Sequence, residues 1–454
     1  MGYHSCSSRL SFSLFSACLL FLLAACSSST ATPQQNNPNA SAPTQAGKQT
    51  SAQSASRSVP LKAVQTDCPS SGLARAAVLQ PFSPGTHPTL IYTSNDVSRD
   101  ASTSMGVLKR YDTVTQRASV IAVSGHSMSD AQVSADGQWI LFLSLATANK
   151  GNANSGVDTR LQLIREDGAD LQTLYCVPAT ATISGVHWSE DQKFILLDVL
   201  DGSANTSTLR LLTVSTGELR VELQTPVGAR AYKTMLWLDS TSAYIGQGLG
   251  QEQTASQPDI YLLDVVNNKD THGSNLKKVS AFPGSGGAMY LESSADKSRD
   301  AKTLFLSHCF PTSTALVSRI TSQPATGGSQ QDIYRNVPGC IKDLRAISNT
   351  KLLFTIRTSN QGFTKEILML ANIDGSGTTA LYSNSSPHVS VQLDRHTQLP
   401  WSNVSRDGTL YAFNEQGAMV GVSKLFIGSF STGKIISLVS NPSGAVAVAG
   451  WTRM

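Results

Sequence analysis

The sequence predicts an all-β fold: a seven-bladed β-propeller of four-stranded antiparallel blades, its ring closed by pairing of the N- and C-terminal strands. Three observations predict it. A hairpin signature recurs along the chain, a strand–turn–strand signature precedes each hairpin, and incomplete units at the two ends complete one another.

The hairpin is clearest in EILMLANIDGSGTTALYS, Glu366 to Ser383. Its DGSG could be read as an anion loop, because glycines free backbone N–H groups to surround a phosphate, but that use needs a helix on its C-terminal side. Instead the turn is bracketed by two short apolar runs, EILMLANI before it and TTALYS after it. Aspartate supplies a side-chain hydrogen bond and glycine the positive φ of a tight reversal. The same unit returns as LQLIREDGADLQTLY (Leu161 to Tyr175), LRLLTVSTGELRVEL (Leu209 to Leu223) and KLFIGSFSTGKIISLV (Lys424 to Val439). Looser copies run from Val107 to Val123 and from Ile260 to Val279.

Before the hairpins lie DAQVSADGQWILFLS (Asp130 to Ser144), SGVHWSEDQKFILLDV (Ser184 to Val199) and SNVSRDGTLYAFN (Ser402 to Asn414), each a short strand, an Asp-bearing turn and an apolar strand. The residues before these turns are Val133, Trp188, Trp237, Ser293, Ile347, Val404 and Trp451, spaced 47 to 57 residues apart with a mean of 53. All but Ser293 are apolar, which suits wedges packed between blades. The last mark is three residues from the end of the sequence, whereas TLIYTSN (Thr89 to Asn95) and the hairpin after it lack a first strand. Joined, the two ends make one blade, which removes exposed sheet edges at the join.

The units SADGQWILF (Ser134 to Phe142) and IDGSGTTALY (Ile373 to Tyr382) resemble the repeats of TolB-like propellers, relatives of the WD-repeat group. The resemblance covers roughly Leu73 to Met454. Two units depart from it, at Leu238-Asp239-Ser240 and at Ile347 to Thr350. It implies an extracytoplasmic protein-binding platform, and it carries over no catalytic residues.

The first 25 residues read as a signal peptide, with Arg9 ahead of a short apolar stretch from Leu10 to Leu22. The stretch is too short for a stable membrane span. It ends in Leu-Ala-Ala-Cys, which resembles the lipobox of bacterial lipoproteins. That resemblance implies a diacylglyceryl group on Cys26 and stable anchoring to the cell membrane by more than one acyl chain. Residues 26–72 then form a tether, and from Ser27 to about Ser58 the chain has almost nothing apolar to bury. About 32 such residues span roughly 30 Å root-mean-square. The propeller is assigned to 73–454.

Of seven cysteines, four remain after the signal segment and Cys26: Cys68, Cys176, Cys309 and Cys340. An even number in an exported chain is compatible with two disulfides. Cys309 and Cys340 are the favoured pair because they fall within one repeat. Their spacing does not fit a zinc ribbon.

The net charge of +4 over 454 residues, without a basic run interleaved with aromatics, gives no electrostatic basis for nucleic-acid binding. No G-x-S-x-G elbow occurs, and GSGG at Gly284 to Gly287 runs into AMYLES rather than a helix. The histidines form no H-E-x-x-H cluster. No catalytic residue, metal or cofactor is therefore assigned. Asp130, His187, Glu292, Asp343 and Arg345 lie in or beside first strands and are the candidates to face a central channel.

The favoured function is a lipid-anchored, monomeric binding or scaffold module of the cell envelope, with another envelope protein or a peptide as partner. The alternative is a channel-sited, lactonase-like or lyase-like enzyme acting on sugars or lactones. Three or more acidic or histidine side chains converging in the channel would favour the enzyme.

Overall fold

The structure, a computed structural model, describes residues 64–452 except 84, 97–104, 148–156, 227–231, 248–258, 282–292, 312–314, 361–362, 385, 387–388, 394–398, 418–422 and 442–443. Twenty-eight strands run through these residues and form seven sheets of four. Blade 1 places Gly444–Trp451 innermost, with Thr89–Asp96, Met105–Asp112 and Arg117–Ser124 successively further out. Blades 2 to 7 span 128–177, 181–226, 232–281, 293–338, 340–383 and 389–441. The closing strand pairs antiparallel with the first, from Leu90 opposite Trp451 to Asp96 opposite Gly444. The two ends of the chain thus complete one blade, as the incomplete units predict.

Strands whose two faces are both covered by neighbouring blades read as unbroken apolar runs. Trp139 to Leu143 is such a run, with every residue at most 3% exposed. The core is accordingly divided into seven clusters, one per seam between adjacent blades. Trp188, Trp237 and Trp451 lie in the seams between blades 2 and 3, 3 and 4, and 7 and 1.

The turns use the residues the sequence offers. In DGSG the Asp374 carboxylate accepts from the Ser376 N–H at 2.9 Å, and Gly375 takes φ 85°. In the Ser-x-Asp turns the serine hydroxyl accepts from the N–H of the next strand, as Ser134 does from Trp139 at 2.9 Å, while Asp136 holds the Gln138 N–H at 3.0 Å. Ser189 with Asp191, Ser298 with Asp300 and Ser405 with Asp407 repeat the arrangement.

Strand register corrects the period marks in two units. Trp188, Trp237 and Trp451 lie opposite Ile195, Ala243 and Leu90. The residue in that place in blade 5 is Lys297, opposite Leu304, not Ser293. In blade 6 it is Ala346, opposite Leu352, not Ile347.

Disulfides join Cys68 to Cys176 and Cys309 to Cys340. The second bridge crosses a seam, because Cys309 belongs to blade 5 and Cys340 opens blade 6. The single repeat expected to contain both is two half-repeats.

The chain is held to the propeller ahead of Leu73. Residues 64–83 and 85–88 form a strap that runs over blades 2 and 3 and reaches blade 1. Thr173 N–H donates to Gln65 at 2.9 Å, Arg75 N–H to Leu174 at 2.8 Å and Ala77 N–H to Val214 at 2.8 Å. Gln172 clamps Val78 through both backbone groups, at 2.8 and 3.1 Å. Arg165 caps Phe82 with its guanidinium 4.8 Å from the ring centre.

Candidate functional site

The seven inner strands surround a central channel, whose side chains are set by the pleat and by a bulge. In blades 1, 2, 3, 4 and 6 one extra residue sits in the inner strand. Asp130 and Asp343 occupy the same place, three residues before the Val133 and Ala346 positions, and both have left-handed backbones, φ 51° and 55°. Such a conformation in a non-glycine residue is uncommon and tolerated best by Asp and Asn. Asp343 is buried, with its carboxylate accepting from the Thr355 hydroxyl at 3.3 Å.

Asp198, on the second strand of blade 3, lies over Gly185, where a Cβ would come within 2.7 Å of the carboxylate. It accepts from the Thr234 hydroxyl at 2.9 Å and from the Thr234 N–H, which binds blade 3 to blade 4. Burial pushes its pKa up to about 7 against these hydrogen bonds, with Asp130 adding to the rise.

At the end of the channel formed by the Ser-x-Asp turns, the middle residue of the turn points inward. Glu190 of blade 3 pairs with Lys297 of blade 5 at 2.7 Å, and Lys297 also donates to the Leu238 carbonyl at 2.8 Å. Asp296 accepts the Ala346 N–H at 2.8 Å across the seam between blades 5 and 6. Burial raises the Asp296 pKa, and Arg345 and Arg299 oppose the rise. Burial lowers that of Arg299, with Asp296 and Glu190 opposing.

Blade 7 closes this end. Its inner strand stops at Gln392 and resumes only at Val404, which bridges to Tyr411. Between them, Leu399 to Asn403 lie across the channel. Arg299 of blade 5 donates to the Pro400 carbonyl at 2.8 Å, and the Trp401 indole N–H donates to Val133 of blade 2 at 2.6 Å. The Trp401 carbonyl accepts the Trp451 N–H of blade 1 at 2.9 Å. Arg406 stacks 4.5 Å from the Trp401 ring and donates to the carbonyls of Ala135, Ser134 and Trp451 at 2.6, 2.7 and 3.1 Å. Four blades meet on this segment, so it acts as a plug fixed by cation–π and charge-assisted contacts.

Of the channel candidates, Asp130, His187, Asp343 and Arg345 stand on inner strands, and Glu292 lies outside the described residues. They are not brought to one point. Asp130 acts on Asp198, and Arg345 on Asp296 and Arg299 at the plugged end. The His187 carbonyl takes the Trp237 indole N–H at 3.0 Å. Among the described residues no three His, Cys, Asp or Glu side chains are grouped to hold a metal ion. Sequence reasoning missed Glu190, Asp198, Asp296, Lys297, Arg299 and the plug. The signal for two of these was the middle residue of the Ser-x-Asp turns, charged in SED, SRDA and SRDG but alanine in SADG.

No family model and no curated protein matches the chain. Among solved structures it is similar to TolB from Acinetobacter baumannii, at 15% identity over 80% of this chain and 82% of that one, TM-score 0.43. It is similar to an oligogalacturonate lyase from Vibrio parahaemolyticus, at 12% identity over 67% and 74% of the two chains, TM-score 0.41. It is also similar to the β-propeller domain of the Trilobed protease from Pyrococcus furiosus, at 14% identity over 81% and 98%, TM-score 0.49. These likenesses concern the fold alone. The class defined by the fold is the seven-bladed propeller, with TolB proteins among the structures it resembles.

Proposed function

We propose that this protein is a lipid-anchored, extracytoplasmic binding module of the cell envelope, tethered through Cys26 and recognising another envelope protein or a peptide. The observation that carries the reading is how the chain enters the propeller. The polar stretch after Cys26 runs into a strap that is bonded covalently to blade 2 through Cys68 and Cys176 and laid along the blades by backbone hydrogen bonds. Disulfides persist in oxidising compartments, which agrees with export. A tether joined in this way transmits load to the body of a blade and leaves the closing strand unloaded. The plug, a blade 7 segment held by blades 1, 2 and 5, fills one end of the channel, so binding falls to the loops and rims, which suits a macromolecular partner.

Two experiments test this together. Mass spectrometry of the mature protein should find a diacylglyceryl group on Cys26, and Cys26→Ser should release the protein from membranes. A photo-crosslinker placed at exposed Lys233 or Ser129, at the open end of the inner strands, should yield one discrete protein adduct in intact cells. An unmodified N-terminus elsewhere, with the protein recovered soluble, would overturn the anchoring. The absence of adducts from both positions would overturn the binding role at that end.

A further inference from the structure

Blades 1 and 2 leave a cleft between them that the channel does not reach. It has a volume of about 440 Å³, and its walls come from three places. Gly85, Thr86 and His87 of the strap form one side, Arg110 and Asp112 with Arg117 and Ser119 of blade 1 form another, and Glu166 of blade 2 forms the floor. The volume falls within the range of small-molecule sites, about 300–1,000 Å³. Its lining is charged and hydroxylated where most such sites are apolar, so a polar ligand fits it better than an aliphatic one.

The charges do not cancel. Asp112 is committed to the wall: it pairs with His87 Nδ1 at 3.0 Å and accepts the N–H groups of Val114 and Thr115 at 2.8 and 3.0 Å. Glu166 is 5% exposed, and burial pushes its pKa up to about 7, so near neutrality much of its charge is absent. Neither guanidinium forms an ion pair among the described residues. Arg110 is oriented by the Ser119 hydroxyl at 2.8 Å and the Glu166 carbonyl at 3.5 Å, and its charge opposes the rise that burial imposes on the Glu166 carboxyl without an ion pair between them. Arg117 pairs through its backbone with Asp112, and its exposed guanidinium has no partner among the described residues. Two guanidiniums on neighbouring strands, one oriented and one free, can present a fork to an anionic group.

We propose that this cleft binds a small hydroxylated anion, an acidic sugar bearing a carboxylate or a phosphate, with Arg110 and Arg117 holding the charge and the Thr86 hydroxyl and Glu166 meeting the hydroxyls. The proposal goes beyond the anchored binding module and does not depend on it.

Calorimetric titration of the folded protein with D-glucuronate and with D-glucose 6-phosphate tests it, with D-glucose as neutral control. Saturable binding of one or both is expected. A carboxylate ligand is indicated if glucuronate binds more tightly, and a phosphate ligand if the sugar phosphate does. Arg117→Gln, on an exposed side chain that leaves the fold intact, should weaken binding about tenfold, the loss expected of one charge-assisted hydrogen bond. Arg110→Gln should weaken it at least as much. Binding of neither anion by the wild type, binding of glucose as tight as that of the anions, or an affinity unchanged in Arg117→Gln would overturn the proposal.

Discussion

The seams on either side of the ring solve the same packing problem by opposite chemistry. Between blades 7 and 1 the wedge is Trp451, 0% exposed, and its loss would remove apolar contact from both blades. Between blades 4 and 5 the same register position holds Lys297, 8% exposed, whose ammonium is satisfied by the Leu238 carbonyl and by Glu190. An indole contributes buried area, whereas a buried ammonium must first recover its desolvation cost from its partners. What fixes a blade position is the register of the inner strand; the side chain has to fill the seam, and a charged one must find partners there, whereas the Trp451 indole N–H is buried without one.

The largest expected effect is at the closing seam. A chain ending at Ser443 lacks the whole inner strand of blade 1, so it should expose an unpaired edge and aggregate, and size-exclusion chromatography measures the loss of monomer. Trp451→Ala should cost about 3 to 5 kcal/mol in urea unfolding. A truncated chain that stays monomeric with the parent's midpoint would show that closure does not hold the ring.

Next comes the polar seam. Lys297→Ala should cost less than Trp451→Ala, about 1 to 3 kcal/mol, because Glu190 is 39% exposed and can be rehydrated. Lys297→Met should fall within about 1 kcal/mol of the parent, since an apolar residue of similar length can replace a buried ion pair. If methionine costs as much as alanine, the charge itself is required there.

A smaller, pH-dependent effect belongs to the seam between blades 3 and 4. Asp198 titrates near 3.8 when unfolded and at about 7 when folded. A raised folded value means that its contribution is fully present below pH 3.8 and is lost as pH rises through 7. Asp198→Asn should therefore melt with less loss between pH 5 and pH 8 than the parent does. Parallel pH profiles for the two proteins would show that the carboxyl is ionised throughout.

An effect of the size of Lys297→Ala, but confined to one turn, is expected at Gly375. Gly375→Ala keeps every seam residue but sets a Cβ at φ 85° within 2.5 Å of the Ile333 carbonyl of blade 5. It should cost roughly 1 to 3 kcal/mol, the range for a strained backbone position. A neutral result would mean that the turn shifts freely against its neighbour.

The hairpins were legible because a turn and its two strands are contiguous, so Asp374 and Gly375 announce themselves within a few residues. The closing blade was legible because its missing strand could be counted. Blade 5 misled the count: its inner strand ends in Asp296-Lys297, with a lysine satisfied by two other blades where the remaining units carry an apolar residue, and the mark fell on Ser293, four residues early. The favoured pair Cys309 and Cys340 does form the bridge, but across a seam and not within one blade, because residues close in sequence here face each other from neighbouring blades. The channel network was illegible because its members join blades far apart in the chain, as when Trp401 meets Val133 at a separation of 268 residues. No local pattern records such a contact.

Pairing of Gly444–Trp451 with Thr89–Asp96 also sets a timetable for biosynthesis. The three outer strands of blade 1 emerge early, but their fourth follows the other six blades, and Thr452 meets Thr89 across 363 positions. Loop closure over that distance is slow, so the half-made ring must wait with its first blade open. Quality control acting during that interval would see a long-lived strand edge on every copy, normal or mutant, and would have to distinguish delay from failure.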